Sequence, residues 1–248
     1  MSQLSNILAE FAPIALSEMG EVKLMNRADT KFVFSPHLLN KVLPSLQKNY
    51  RVLEIDGVRL SAYQSLYYDT EDFLFYNQHH NGKTNRNKVR FREYTDSGLC
   101  FLEVKKKNNK GKTIKKRIKV AQIAENLTGD SKAFVNKVIG QEHHLVPRHW
   151  NSFKRLTLVH KTAKERLTMD VDFQFKDMKK SGMIEGMIIA EVKQERMSRS
   201  SDFMRIIKEH GVRPFRISKY CMATASLYPQ LKRNNFKRKF LHLNKLDR

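Results

Sequence analysis

Three consecutive segments of this chain alternate cations with apolar residues, and nothing else in the sequence constrains the fold as strongly. In Lys88-Val89-Arg90-Phe91-Arg92 the two-residue period of a strand puts Lys88, Arg90 and Arg92 on one face and Val89 and Phe91 on the other. Phe101 to Lys107 sets Glu103, Lys105 and Lys107 opposite Leu102 and Val104. Thr113 to Val120 sets Lys115, Arg117 and Lys119 opposite Ile114, Ile118 and Val120, with Lys116 as the exception. Carboxylates are too few in this stretch to pair with so many cations. A face this positive repels itself, which costs stability until a polyanion neutralises it. A chain of phosphates is the partner such a face predicts.

The whole chain carries the same bias, with a formal net charge of +22 over 248 residues. That points to nucleic acid, an anionic membrane surface or a phosphorylated small molecule, without choosing among them. The length predicts one domain with a well-buried core. Cys100 and Cys221 have neither zinc-site spacing nor the density of a disulfide scaffold, so a reducing cytosol and two buried thiols are expected. No apolar run approaches the roughly 20 residues needed to span a bilayer, and no secretory signal is expected at the N-terminus. Leu4, Ile7, Leu8 and Phe11 recur at helical spacing and are predicted to pack on the core. Peripheral contact with a membrane stays open.

Along the chain, Lys31 to Phe34 reads as a strand. Ser35-Pro36 then caps a helix with Leu38, Leu39, Val42, Leu43 and Leu46 as its stripe, which Pro44 should bend or shorten. Strands over about 51–55 and 59–68, a helix over about 70–80 and the three basic strands follow. A helix is expected over about 121–145. Strands resume at about 155–161, 165–175 and 184–193, the second alternating Arg166, Thr168, Asp170 and Asp172 against Leu167, Met169, Val171 and Phe173. Ser201 and Ser218 cap two further helices. Residues 1–229 are expected to form the domain, and 230–248 a basic tail with little to pack. No regular strand–helix alternation signals a parallel sheet, so the expected class is α+β. Its core element would be an antiparallel β-barrel with a charged bore, clad outside by helices.

Phosphate oxygens take charge-assisted hydrogen bonds from such strands, and Arg90 and Arg92 emerge on one face roughly 7 Å apart. A polyphosphate or nucleoside triphosphate arrives with Mg²⁺ or Mn²⁺, which needs only one or two protein carboxylates. Glu191, Glu103, Asp170 and Asp172 are candidates, with Glu191 first. The pairs His79-His80 and His143-His144 lack metal-helix spacing and read as surface or capping residues. There is no glycine-rich phosphate loop and no nucleophile motif, so covalent catalysis is disfavoured.

Seven segments in order resemble the VTC domain, the catalytic module of the vacuolar transporter chaperone polyphosphate polymerase, within the triphosphate tunnel metalloenzymes. They are Leu24 to Phe32, Tyr67 to Thr70, Lys88 to Arg92, Phe101 to Lys105, Arg166 to Asp170, Ala190 to Lys193 and Ser218 to Tyr220. The resemblance implies an eight-stranded antiparallel tunnel with a basic bore. By position it makes Lys31, Arg90, Arg92, Lys105, Lys115 and Arg166 the phosphate-contacting set, Glu191 the metal ligand, and Ser218 with Lys219 the contact to the product chain. Arg117 on its strand face joins the substrate-binding set. Lys161, Lys107 and Arg216 stand where the eukaryotic module has Arg, His and Lys, and Val159 where a Tyr is expected. These changes alter the geometry of the nucleotide end.

The implied reaction moves the γ-phosphoryl group of a nucleoside triphosphate to a polyphosphate chain. Hydrolysis of a triphosphate in the same tunnel remains an alternative, as does a non-catalytic polyanion or nucleic-acid binding module. Nucleic acid is the less expected partner, because Tyr94 is the only aromatic on the cationic face of its strand. Any export of polymer would require a separate membrane protein.

Overall fold

The computed structural model of the chain describes residues 2–22, 28–195, 198 and 201–246. Leu24 to Arg27 of the first resembling segment lie outside the described residues. The strands are β1 (Pro13–Ala15), β2 (Ala28–Phe34), β3 (Tyr50–Glu54), β4 (Leu60–Asp69), β5 (Arg86–Tyr94), β6 (Leu99–Lys107), β7 (Thr113–Val120), β8 (Val146–His160), β9 (Glu165–Lys176), β10 (Ser181–Met183) and β11 (Ile188–Gln194). The helices are α1 (Ser2–Ala9), α2 (Pro36–Leu46), α3 (Leu74–His80), α4 (Gly129–Ile139), α5 (Asp202–Glu209), α6 (Lys219–Leu227) and α7 (Lys237–Leu243).

Eight strands pair antiparallel in the order β2-β11-β9-β8-β4-β5-β6-β7, with β1, β3 and β10 attached at the side. The sheet curls into a half-barrel, so that Lys31 on β2 acts electrostatically on Lys88 of β5 and Lys105 of β6, far along the path. Its two ends are treated differently. The backbone N–H of Phe215, in the loop after α5, donates to the carbonyl of Lys31 on β2 (2.7 Å), whereas β7 is left largely exposed and is defended by its own lysines.

The apolar faces of the strands point outward, where helices cover them. Leu39, Val42, Leu43 and Leu46 of α2, with Leu8 of α1 and Phe203 and Ile207 of α5, bury the outer side of β2, β11, β9 and β8. Phe75 of α3 and Val135 and Ile139 of α4 bury Val89, Phe91, Leu102 and Val104. At roughly 1.5–3 kcal/mol per large apolar side chain, this cladding fixes which face is left for the cations. Pro44 sits in the last turn of α2, which ends at Leu46.

One helix lies inside the curl. Tyr220, Met222, Ala223 and Leu227 of α6 pack with Val33, Tyr67, Phe153, Phe173 and Ile189, which share strand faces with the cations. The helix is buried nearly all round, as a segment enclosed by the sheet must be. It packs against the inner faces of β8, β9 and β11.

Four expectations change. The helix expected over 121–145 spans only Gly129–Ile139, because it starts after an extended Thr128 and Gly140 ends it with a left-handed φ of 81°. The β8 strand begins at Val146, where its ladder with β4 shifts register opposite Tyr67 and Tyr68, which accommodates Pro147. The alternation on β9 holds to Asp170 and then flips at a bulge, where Asp172 has φ 54°. Asp172 turns out to meet Lys154 (3.2 Å), while Phe173 and Phe175 face α6. Finally, the basic C-terminal segment packs: Phe236 and Leu243 are buried in the inner cluster, and His80, read as a surface residue, is buried beneath it.

Candidate functional site

Ladder register puts three lysines side by side across three strands, Lys88 opposite Lys105 and Lys105 opposite Lys115. Like charges directly opposite destabilise a sheet, so this row works against the fold. Desolvation within the bore, with Arg90, Lys31 and Lys88, pulls the Lys105 ammonium down to about 7 against the opposing pull of Glu191, on a residue whose surface is otherwise exposed. Burial likewise lowers Lys88 to about 8, helped by Lys31, Arg86 and Arg90, and Lys115 to about 8 despite its contact with Glu103.

Three carboxylates sit among these cations. Glu103 receives Arg90 through Nε (2.9 Å) and Nη2 (2.6 Å), and also Lys115. Asp170 is held in a fork by Arg155 (2.6 and 2.8 Å) and bonded by Lys219. Burial acts to raise both acids, but their cation partners hold them well below the usual carboxylate range. Glu191 differs. Its ion pairs are longer, 3.6 Å to Lys31 and 3.1 Å to Lys193, and its side chain is 18 % exposed against 1 % and 5 % for the other two. It is the bore carboxylate with room for another partner.

Residues 26–228 match the VTC domain family. The chain belongs to that family. No curated protein matches it. Among solved structures, the VTC domain here is similar to an adenylyl-cyclase-class protein of Hippeastrum described as having a dominant triphosphatase activity. That pair shares 15 % identity, with 82 % of this chain and 96 % of the other covered and a TM-score of 0.52. An adenylate-cyclase-class protein of Bacillus halodurans also aligns, at 12 % identity over 78 % of this chain and 96 % of the other, with a TM-score of 0.49. The shared fold is that of the triphosphate tunnel proteins.

Within this VTC domain, Lys31, Lys88, Arg90, Lys105 and Lys115 are brought together on the inner face around Glu191 and Glu103. Arg92 lies deeper, donating to Ser65 Oγ (3.2 Å) with its guanidinium 5.5 Å from the rings of Tyr63 and Phe153. Burial and Arg90 lower it to about 10, so it stays charged. Arg166 precedes Thr168 and Asp170 on the same face of β9, opposite Lys193 on β11. Arg117 lies over Phe101 (4.3 Å), Lys107 is at the end of β6 opposite Arg86, and Arg216 is exposed in the loop before α6. Ser218 accepts from Lys88 Nζ (2.9 Å) and from the Cys221 N–H (3.3 Å), so it caps α6 while touching the bore.

Two expected site residues have other employment. Lys161 donates to the carbonyls of Gln47 and Lys48 (3.1 and 2.8 Å), finishing the end of α2 on the outer side, and does not join the cluster. Lys219, expected to contact the product chain, is bonded to Asp170 and lies 4.4 Å from the Phe153 ring centroid. Three contributors lie outside the set expected from the sequence: Arg155, Lys193, and Tyr67, whose hydroxyl accepts from Arg90 (2.8 Å). Strand parity extended back through Phe153 and Arg155 would have found the first.

Among the described residues no group of three or more His, Cys, Asp or Glu side chains could by itself hold a metal ion. One accessible carboxylate nevertheless fits a Mg²⁺ or Mn²⁺ that takes its remaining ligands from phosphate oxygens and water. Glu191 is that carboxylate.

Proposed function

We propose that this VTC domain transfers the γ-phosphoryl group of a nucleoside triphosphate to the end of a polyphosphate chain held in the bore. The observation that carries this reading is the cross-strand row Lys88, Lys105 and Lys115, in which Lys115 shares Glu103 with Arg90 while Lys88 and Lys105 form no salt bridge among the described residues, facing Lys31 around Glu191. Such a row is tolerable as a site awaiting several negative charges on one ligand. The attacking oxygen of a phosphate chain is already ionised, so positioning and charge neutralisation suffice and a general base is not required. Arg90, Lys105 and Lys115 would bind and orient the transferring phosphates, and Arg92 would act from deeper in the bore. A divalent ion held by Glu191 would supply further neutralisation of the phosphate oxygens.

Hydrolysis in the same bore is the second reading. It is favoured by α6, which occupies part of the inside of the curl, and by the triphosphatase activity described for the Hippeastrum protein. No described helix is long and apolar enough to cross a membrane. A cytosolic setting, with a separate membrane protein handling any export, is part of the proposal.

The test is incubation of the purified chain with ATP and Mn²⁺ or Mg²⁺, following free phosphate and long polyphosphate separately. Polymer formation supports transfer, and phosphate alone supports hydrolysis. Neither product, together with tight binding of single-stranded nucleic acid, would move the assignment to a binding module. Glu191→Gln should keep triphosphate binding and lose metal-dependent turnover. Near-normal turnover with unchanged metal dependence would remove Glu191 from the metal site.

A further inference from the structure

The family match ends at residue 228, yet the chain beyond it is built onto the mouth of the bore. Tyr76 of α3 donates its hydroxyl to the carbonyl of Lys232 (2.9 Å), and Asn235 bonds His80 through its backbone N–H (3.2 Å) and its side chain (3.0 Å). Phe236, 3 % exposed, packs edge-on against His80 and Tyr76. This docking fixes Lys239, whose ammonium lies 5.2 Å from the Phe236 ring centroid.

Lys239 is thereby placed among cations. Arg86 and Arg216 both act on it, and Arg86 precedes Lys88 by two residues on the same strand face, opposite Lys107. His79, close to Arg86, Lys88, Lys107 and Lys239, is held neutral by burial and by those four charges, down to about 2. Among the described residues, no salt bridge to a carboxylate involves Arg86, Lys88, Lys107, Arg216 or Lys239. The C-terminal segment therefore adds positive charge where the sheet already has an excess, an arrangement that stability alone would select against.

We propose that Lys239, with Arg86, extends the phosphate path of the bore past the family-implied positions Lys107 and Arg216 and continuous with Lys88, and holds the part of a long polyphosphate strand lying beyond the reacting end. The inference rests on the reading of the bore as a phosphate site and adds chain length to its specificity. The occupant is a phosphate polymer rather than a single-stranded nucleic acid, because Phe236, the ring beside Lys239, is buried against α3 and offers no face for base stacking. The site would make this protein discriminate long chains from short ones, since a tripolyphosphate bound at Lys88, Lys105 and Lys115 would leave Lys239 to the phosphates of a longer chain.

The experiment measures binding of tripolyphosphate, of polyphosphate about 100 units long and of a single-stranded oligonucleotide to the full chain. It compares wild type with Lys239→Glu and Lys239→Met, the second keeping the stem that packs on Phe236. We expect long-chain affinity to fall roughly tenfold in Lys239→Glu at low salt, corresponding to one charged contact. Tripolyphosphate affinity and melting temperature should stay at wild-type values, and the difference should shrink at high salt. If Lys239→Glu does not fold, Lys239→Met decides, with a smaller loss expected. Unchanged long-chain affinity, an equal loss for tripolyphosphate, or a larger loss for the oligonucleotide would overturn the proposal. A wild-type protein that binds long chains through Lys239 but turns over no triphosphate would sink the proposed reaction and leave this site standing. If wild type binds neither polyphosphate, both readings fall.

Discussion

The bore has two regions that spend their cations differently. Around β8, β9 and α6 two buried cations meet one carboxylate, Arg155 and Lys219 sharing Asp170, much as Arg90 and Lys115 share Glu103 on β5 to β7. Around the outer end of β5 and β6, Lys88, Lys105, Arg86 and Lys107 share a face with no carboxylate bonded to any of them in the described residues. The first kind of charge holds the fold together. The second opposes the fold and becomes favourable when a ligand supplies the missing negative charge. The proposed division into structural and ligand-binding cations rests on this difference in neutralisation and not on the family alone.

The strongest way to break this division is to attack the neutralised region. Asp170→Asn leaves Arg155 and Lys219 buried without an anion, and loss of one partner from such a cluster costs roughly 3–5 kcal/mol. We expect a large drop in the chemical-denaturation midpoint with or without tripolyphosphate. A variant that unfolds like wild type would show that Asp170 is not the anchor of α6. Arg90 belongs partly to this class: Arg90→Ala removes half of the Glu103 lock along with the proposed phosphate contact, so it should lower stability as well as activity, whereas Lys105→Gln should lower ligand binding alone.

Much of this was legible in the sequence. The parity of β5 and β6 placed Val89, Phe91, Leu102 and Val104 under helices and the cations in the bore, because a charged residue on the covered face would have been left unpaired. Parity failed at Asp172, where a left-handed residue inserted a bulge that no alternation pattern announces, and Phe173 and Phe175 consequently turned inward. The ion partners of Asp170 were hidden for another reason. Arg155 and Lys219 are 15 and 49 residues away, so their meeting depends on the curl of the sheet and on α6 entering it. The C-terminal segment misled because its composition is that of a solvated tail, while two residues, Phe236 and Leu243, anchor it.

An intermediate effect sharpens the comparison from the other side. Lys105→Gln removes a cation from the unneutralised region, so the ligand-free protein should be as stable as wild type or more so. Its tripolyphosphate binding should weaken by roughly 1.5–3 kcal/mol, the range for a hydrogen bond to a charged group. In wild type, tripolyphosphate at 100 times its dissociation constant should add about 2.7 kcal/mol of stability. Thermal melts with and without ligand check both halves. Destabilisation of the ligand-free Lys105→Gln protein would mean that this lysine belongs with the structural cations.

The smallest expected effect is on pH dependence, and its sign follows from the same crowding. Lys105 is held near 7, and Lys88 and Lys115 near 8, all below the roughly 10.4 of a lysine in the unfolded chain. Between those values the unfolded chain binds more protons than the folded one, so stability rises with pH. Below pH 7 the lysines are charged in both states and the full repulsion is felt. As pH climbs through 7 to 8 the folded protein sheds protons and the penalty is relieved. The ligand-free melting temperature should therefore increase modestly between pH 6.5 and 8.5, before the buried Cys221 thiol, raised by its burial, begins to oppose it. Bound tripolyphosphate keeps the three lysines protonated, so it should flatten or reverse the slope, and binding at pH 8 should take up protons in calorimetry run in buffers of different ionisation enthalpy. A ligand-free melting temperature that falls across this window, with no proton uptake on binding, would mean that the row Lys88, Lys105 and Lys115 is an ordinary solvated surface.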